Sequence, residues 1–121
     1  MMPLISIIIP CYNDAEYIEQ SVQSALNQTY SNIEVIVVDD GSNTATKEVL
    51  KMLEPNIKQL ITQKNLGQSK ARNAGIEVAK GDYVLVLDSD DFFELSFCEE
   101  AVQVFLNHSN VKIVSCFANV F

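Results

Sequence analysis

Short β-branched apolar runs alternate along this chain with segments of helical periodicity. The apolar runs occupy residues 4–9, 33–38, 57–62, 83–87 and 111–115, and each is typical of a strand. The segments between them carry apolar residues three or four positions apart, as expected of amphipathic helices. This alternation predicts an α/β fold. We expect a Rossmann-like, mostly parallel sheet with helices on both faces, joined by right-handed crossovers.

Individual residues predict where the helices begin and end. Asp14 and Ser42 are predicted to begin two helices, because their side chains can accept hydrogen bonds from free backbone N–H groups. A third helix is predicted to begin near Gly67 and to stop before Gly81. No segment resembles a linker, and 121 residues suffice for one hydrophobic core. Residues 1–121 are therefore predicted to form a single domain.

The composition limits the partners and the compartment. Eight Lys and Arg residues against sixteen Asp and Glu residues give a net charge of −8, which disfavours nucleic acid as a partner. Cys11, Cys98 and Cys116 lie far apart without a C-x-x-C pair, so they predict neither a disulfide framework nor a zinc site. A reducing, cytoplasmic location is expected. The longest apolar runs are far shorter than the roughly 20 residues that span a bilayer.

Polar residues follow the apolar runs, at the edge of a parallel sheet where ligands bind. Five carboxylates from two runs are predicted to crowd that edge: Asp39, Asp40, Asp88, Asp90 and Asp91. Like charges at close range raise one another's pKa unless a cation compensates them, and oxygen ligands suit Mg²⁺ or Mn²⁺. The set therefore predicts a metal site. The alternative is that each residue is an ordinary loop former or helix cap.

Two other features of this edge suit a nucleotide. Tyr12 follows Pro10 at the end of the first run, where its ring could stack on a planar base, although packing at the rim explains such a tyrosine equally well. Lys70 and Arg72 lie early in the helix predicted to begin near Gly67. A helix N-terminus with added cations suits a diphosphate. A solvated cationic face is the alternative, and it fits Lys70 better than Arg72.

Four motifs carry a family resemblance: SIIIPCYN at 6–13, VIVVDDGSNT at 35–44, NLGQSKARNAG at 65–75 and GDYVLVLDSDD at 81–91. In this order and spacing they resemble family 2 glycosyltransferases over nearly the whole chain. The resemblance implies the nucleotide-binding half of a glycosyltransferase A-type fold. It also implies a nucleotide-sugar donor, most commonly a UDP-sugar in the family, with Mn²⁺ or Mg²⁺ as cofactor. The acceptor would be a glycan or a lipid-linked hydroxyl, attacked with inversion, and peripheral membrane association stays open.

The resemblance assigns a nucleotide pocket to residues of the first two motifs. Pro10, Tyr12 and Asn13 would line the pocket for the base. Asp40 would accept a hydrogen bond from the base, with Asp39 beside it.

The resemblance assigns the phosphate and metal contacts to the last two motifs. Arg72 would approach the nucleotide or its phosphates. Asp90 would bind the cation that bridges the diphosphate, and Asp88 would contact the ribose or the metal. The family's general base lies in an acceptor-binding half, which has no match before Phe121. We therefore expect a catalytic base outside this chain and no sugar transfer by the chain alone.

Other functions fit the motifs less well. A haloacid-dehalogenase-type phosphatase would use Asp88 as its nucleophile, but that motif normally opens the domain, and here it lies near the end. A response-regulator receiver would carry its acidic pair after the first strand. A dinucleotide-binding oxidoreductase would have G-x-G-x-x-G there. The non-enzymatic alternative is a module that binds a nucleotide-sugar without turning it over.

Overall fold

Strands and helices alternate throughout the part of the chain that the computed structural model describes, residues 2–107 and 113–115. The elements are β1 (Ile5–Cys11), α1 (Ile18–Leu26), β2 (Ile33–Asp40), α2 (Thr44–Leu53), a 3-10 turn (Glu54–Asn56), β3 (Gln59–Gln63), α3 (Gln68–Val78), β4 (Tyr83–Val86), α4 (Phe97–Asn107) and β5 (Ile113–Ser115). The predicted strand at 111–115 begins outside the described residues, as does Cys116. No described helix is both long and apolar enough to cross a membrane.

The five strands form one sheet in the order β3-β2-β1-β4-β5, and all four neighbouring pairs are parallel. Ile5 of β1 pairs with Ile33 of β2 on one side and with Tyr83 of β4 on the other. The chain thus builds outward from β1 to β3 and then returns to the opposite side of β1. The crevice beyond the carboxyl ends of β1 and β4 is therefore the topological switch point, where such sheets bind ligands.

Helices cover both faces of the sheet, because apolar side chains of β1 alternate between two cores. Ile5, Ile7 and Ile9 belong to the larger core, which also contains buried residues of α1, α2 and α4. Ile8 belongs to the smaller core, together with Ala71 of α3. The predicted α/β class, the parallel sheet and the two helical layers are all confirmed.

Gly75 allows α3 to lie close to the sheet. A Cβ atom at this position would come within 2.4 Å of Cγ2 of Ile8 and 3.3 Å of Cγ2 of Val38. Both neighbours are fully buried, so neither can move away easily. We expect Gly75→Ala to lower the free energy of unfolding by about 1–3 kcal/mol, although alanine is the better helix former. Urea unfolding measures this change. Asn73→Ala, on the exposed side of α3, is the control, and an unchanged midpoint for Gly75→Ala would contradict the close approach.

Asp14 does not begin α1 as predicted. The helix begins at Ile18, after a turn in which the backbone carbonyl of Asp14 accepts hydrogen bonds from the N–H groups of Tyr17 and Ile18. The carboxylate of Asp14 instead accepts a hydrogen bond from the hydroxyl of Ser89. The side chain is therefore committed to a tertiary contact and not to a helix end.

The start of α2 and the end of α3 also differ from the prediction, whereas α3 begins at Gln68, directly after Gly67, as predicted. Asn43 caps α2, because its Oδ1 accepts a hydrogen bond from the N–H of Thr46 at 3.0 Å, so the cap lies one residue after Ser42. Helix α3 ends at Val78 with an extended residue next to it. Gly81 lies beyond that point and does not terminate the helix.

Candidate functional site

A cleft of about 560 Å³ lies at the switch point between β1 and β4. Its volume is within the range of small-molecule sites. The lining residues come from the carboxyl ends of β1, β2 and β4 and from the start of α3: Pro10, Cys11, Tyr12, Asp14, Asp40, Asn65, Gly67, Gln68, Ala71, Asp88, Ser89 and Asp90. The cleft thus gathers residues from all four sequence motifs.

The loop after β1 places Tyr12 in the cleft and Asn13 against a neighbouring loop. Tyr12 lines the cleft with 49% of its surface exposed, so it is accessible to a ligand. Asn13 has a left-handed backbone, with φ of 56°. Its N–H donates to Oγ of Ser42 at 3.1 Å, and its Oδ1 accepts from the N–H of Asn43 at 2.7 Å. Asn13 therefore ties the loops after β1 and β2 together.

Asp39 is buried at the end of β2, where protein groups already compensate its charge. Its Oδ1 accepts a hydrogen bond from the N–H of Ser42 at 2.9 Å, and its Oδ2 lies 2.7 Å from Nζ of Lys47. Burial opposes the charge, but the Lys47 and Ser42 contacts outweigh it and hold the pKa of Asp39 below its usual value. Asp39 therefore needs no metal ion to balance its charge.

Asp40 lines the cleft and also anchors the loop that leads into α3. Its Oδ1 accepts hydrogen bonds from Nε2 of Gln63 and from the N–H of Leu66, both at 2.8 Å. Its Oδ2 accepts one from the N–H of Gly67 at 3.1 Å. Burial opposes its charge, yet these hydrogen bonds hold the pKa of Asp40 below its usual value. A carboxylate has about four acceptor positions, so one remains for a ligand.

The turn after β4, residues 88–91, carries three carboxylates that lie together, and we call it the acidic turn. One oxygen each of Asp88, Asp90 and Asp91 lies within 4.8 Å of the other two. Burial, followed by the charges of Asp90 and Asp88, raises the pKa of Asp91. A divalent cation would relieve this repulsion, and three carboxylate oxygens fit the preference of Mg²⁺ or Mn²⁺.

The five carboxylates predicted at this edge do not form one group. Asp39 and Asp40 have their own hydrogen-bond partners, and only the three carboxylates of the acidic turn form a group that could hold a metal within the described residues. Asp91 joins this group, although the sequence motif suggested only Asp88 and Asp90 as metal ligands.

Helix α3 brings two side chains to Asp88. Nε2 of Gln68 donates a hydrogen bond to Oδ1 of Asp88 at 3.0 Å, and Nη2 of Arg72 lies 4.0 Å from the same oxygen. Nε of Arg72 is buried and has no hydrogen-bond partner within residues 2–107 and 113–115. Lys70 is exposed. Sequence reasoning missed Gln68, whose only signal was its place in the third motif, at the start of the helix.

Comparisons with known proteins match nearly the whole chain. A family model described as Glycosyl transferase family 2 matches residues 6–120. A Haemophilus influenzae relative, described as an uncharacterized glycosyltransferase, is 44% identical over 111 residues, which cover 88% of this chain and 44% of the relative.

Two solved structures share the fold. S. aureus TarS 1-349 in complex with UDP-GlcNAc has a TM-score of 0.78 and 29% identity over 88% of this chain and 32% of that one. The mannosyltransferase PcManGT from Pyrobaculum calidifontis, in complex with GDP-Man and Mn²⁺, has a TM-score of 0.78 and 26% identity over 87% and 33% of the two chains. The present chain thus spans less than half the length of each of these proteins. The matches confirm the resemblance seen in the motifs, and the chain belongs to glycosyl transferase family 2.

Proposed function

We propose that this chain is the donor-binding part of a metal-dependent glycosyltransferase. It binds a UDP-sugar with Mn²⁺ or Mg²⁺, and the whole protein transfers the sugar to a hydroxyl of a glycan or lipid-linked acceptor with inversion. The observation that carries this proposal is the group of three carboxylates in the acidic turn. Asp88, one of the three, lies 4.0 Å from Arg72, and the turn borders a cleft that Tyr12 and Asp40 also line.

One side of the cleft suits a nucleobase. Pro10 and the half-exposed ring of Tyr12 offer a flat apolar surface on which a base can stack. Asp40 keeps one acceptor position for an N–H group of the base. Asn13 and Asp39 support this side from behind, because their hydrogen bonds to Ser42 and Asn43 hold the two loops together.

The other side suits a diphosphate. Asp90 and Asp88 would hold the cation, with Asp91 close enough to share it. When bound, a divalent cation acts as a Lewis acid and stabilises the negative charge of a departing nucleoside diphosphate. Arg72 adds a positive charge at the same place, since its Nη2 lies 4.0 Å from Asp88, and the exposed part of its guanidinium can donate a hydrogen bond to a phosphate oxygen. We assign no general base to the described residues.

The comparisons support this class of ligand. TarS is described in complex with UDP-GlcNAc, and PcManGT in complex with GDP-Man and Mn²⁺. Family membership favours sugar transfer over a phosphatase in which Asp88 would be the nucleophile. Because the two complexes differ in their nucleotide, the choice of UDP needs a direct test.

Thermal unfolding with added nucleotides tests the proposal. We expect UDP and Mn²⁺ together to raise the melting temperature, because a ligand that binds only the native state stabilises it by about 2.7 kcal/mol at 100 times its dissociation constant. For a domain of this size that energy corresponds to roughly 5–15 °C. UDP with EDTA and Mn²⁺ alone are the controls, and both should give much smaller shifts.

A panel of nucleoside diphosphates extends the same test. A larger shift with GDP than with UDP would correct the choice of base and leave the rest of the proposal intact. If no nucleoside diphosphate shifted the melting temperature with either Mn²⁺ or Mg²⁺, donor binding by this chain would be excluded.

A further inference from the structure

The acidic turn belongs to a stretch, residues 87–96, that forms neither helix nor strand. Such a stretch pairs only some of its backbone groups within itself, as the N–H of Asp91 does with the carbonyl of Asp88, and other groups need partners from elsewhere. Helix α1 and the residues after it supply them through four polar side chains, which we call the polar row: Ser21, Ser24, Gln28 and Thr29. Ser21 and Ser24 lie on one face of α1 because they are three residues apart, and Gln28, two residues after the helix ends, contacts the same stretch.

Ser21 contacts the acidic turn itself. Its Oγ donates to the backbone carbonyl of Ser89 at 2.8 Å, and it also contacts the carbonyls of Asp88 at 3.3 Å and of Asp91. A hydroxyl has one proton, so three carbonyl oxygens converge on a single donor. Ser21 is fully buried. A serine inside a helix is unfavourable unless its hydroxyl is used, and here it is used on the acidic turn.

The rest of the polar row holds the segment downstream of the turn. Oγ of Ser24 accepts a hydrogen bond from the N–H of Phe93 at 3.0 Å. Gln28 donates to the carbonyl of Glu94 at 2.7 Å and accepts from the N–H of Cys98 at 2.8 Å. These contacts touch no backbone group of residues 88–91. Ser21 is therefore the member of the row whose removal would affect the turn most directly.

The acidic turn needs such a restraint, because its own charges oppose its shape. Three carboxylates with oxygens within 4.8 Å of one another repel, and the repulsion is strongest before a cation binds. The hydrogen bond from the N–H of Asp91 to the carbonyl of Asp88, at 3.0 Å, closes the turn. Ser21 holds the carbonyls of those same two residues, and so it opposes the opening of the turn.

We infer that Ser21 is a positioning residue that holds the acidic turn in the shape required to bind a cation. Its effect on binding rests on the proposed function, whereas its effect on the turn does not. Loss of its hydroxyl should loosen the turn and spread the carboxylates, and a cation that needs all three would then bind less tightly. Ser21 need touch neither the nucleotide nor the cation.

Amide hydrogen exchange, followed by NMR in the chain without ligand, tests the positioning directly. In Ser21→Ala we expect the Asp91 amide to exchange about tenfold faster, since a buried hydrogen bond that holds its turn is lost. The Leu87 amide, which donates to the carbonyl of Ile8 in the sheet, should be unchanged. Ser24→Ala is the matched control: it should speed exchange of the Phe93 amide and leave that of Asp91 as it was.

Calorimetric titration of UDP, with and without Mn²⁺, gives the second readout. Ser21→Ala should weaken binding in the presence of Mn²⁺ by about tenfold or more, as loss of a group that orients metal ligands does, and leave binding in EDTA unchanged. Ser24→Ala should not alter the ratio of the two affinities. If Ser21→Ala does not fold, Ser21→Thr, which keeps the hydroxyl and adds one methyl group, carries the test, and it should retain slow Asp91 exchange.

The outcomes separate the two ideas. Unchanged Asp91 exchange in a folded Ser21→Ala variant would overturn the inference, as would fast Asp91 exchange in Ser21→Thr. An unchanged Mn²⁺ dependence in Ser21→Ala would overturn the role in cation binding. If the parent chain binds no nucleoside diphosphate, the proposed function fails, and the exchange of the Asp91 amide still decides whether Ser21 holds the turn.

Discussion

Asp90→Asn is expected to remove the Mn²⁺-dependent part of nucleotide binding and to leave the fold intact. Asp90 is exposed at the edge of the cleft, and its carboxylate lies with those of Asp88 and Asp91. Asparagine keeps the shape of the side chain but removes the charge that a cation needs. We expect UDP affinity in Mn²⁺ to fall by about a hundredfold, the upper end for groups around a metal. Calorimetry with Mn²⁺ and with EDTA measures the loss.

The stability of the Asp90→Asn variant separates a metal ligand from a structural residue. Relief of repulsion among the three carboxylates should leave the melting temperature without ligand unchanged or slightly higher. Glu77→Gln is a matched control, because Glu77 is exposed and lies near the opposite end of α3 from the cleft. An unfolded Asp90→Asn variant, together with a parent chain that binds no metal, would show that Asp90 is structural.

The fold was predictable because its signal is periodic and repeated. Ile7 and Ile8 are neighbours in β1 and pack in different cores, so a continuous apolar run correctly indicated a strand covered on both faces. The segments between the strands have apolar residues three or four positions apart, as amphipathic helices do. Once the order of elements was known, the right-handed crossover rule left few arrangements for the sheet.

The separation of the five carboxylates could not be predicted, because it depends on which partners the loops bring. Asp39 meets Lys47 from the first turn of α2, and Asp40 meets the N–H groups of Leu66 and Gly67 from another loop. Pairing of this kind is fixed by tertiary structure. The sequence indicated the edge at which these residues lie and not which of them share a cation.

The polar row was invisible in the sequence for a similar reason. Ser21, Ser24 and Gln28 resemble the solvated side of an amphipathic helix, and only the position of residues 87–96 shows that they face protein. Asp14 is predicted to begin a helix because aspartate is common at that position, yet its carboxylate accepts a hydrogen bond from the hydroxyl of Ser89. The preference of a residue type for a helix start does not decide its role where its side chain has a hydrogen-bond partner elsewhere in the fold.

Asp40→Asn is expected to lower the free energy of unfolding by about 2–4 kcal/mol, because the amide cannot accept all three hydrogen bonds that the buried carboxylate now accepts. If its nitrogen replaces Oδ2, it faces the N–H of Gly67, and if it replaces Oδ1, it faces the N–H of Leu66 and Nε2 of Gln63. Either way a donor meets a donor. Gln63→Ala removes one of the three donors and should cost less. Urea unfolding of both variants measures the difference.

Nucleotide binding and pH separate an anchoring role of Asp40 from a role in base recognition alone. If Asp40 anchors the loop into α3, Asp40→Asn should weaken the binding of UDP and the binding of GDP equally. A residue that only recognises the base would instead alter the preference between the two nucleotides.

The lowered pKa of Asp40 means that the carboxylate holds its proton less tightly in the folded chain than in the unfolded chain. Its contribution to stability is therefore present above the unfolded pKa of about 3.9 and is lost as the pH falls from there through the folded pKa. The parent chain should lose stability over that interval more steeply than Asp40→Asn. Equal pH dependence of the two chains, with an altered base preference in the variant, would assign Asp40 to the base and not to the loop.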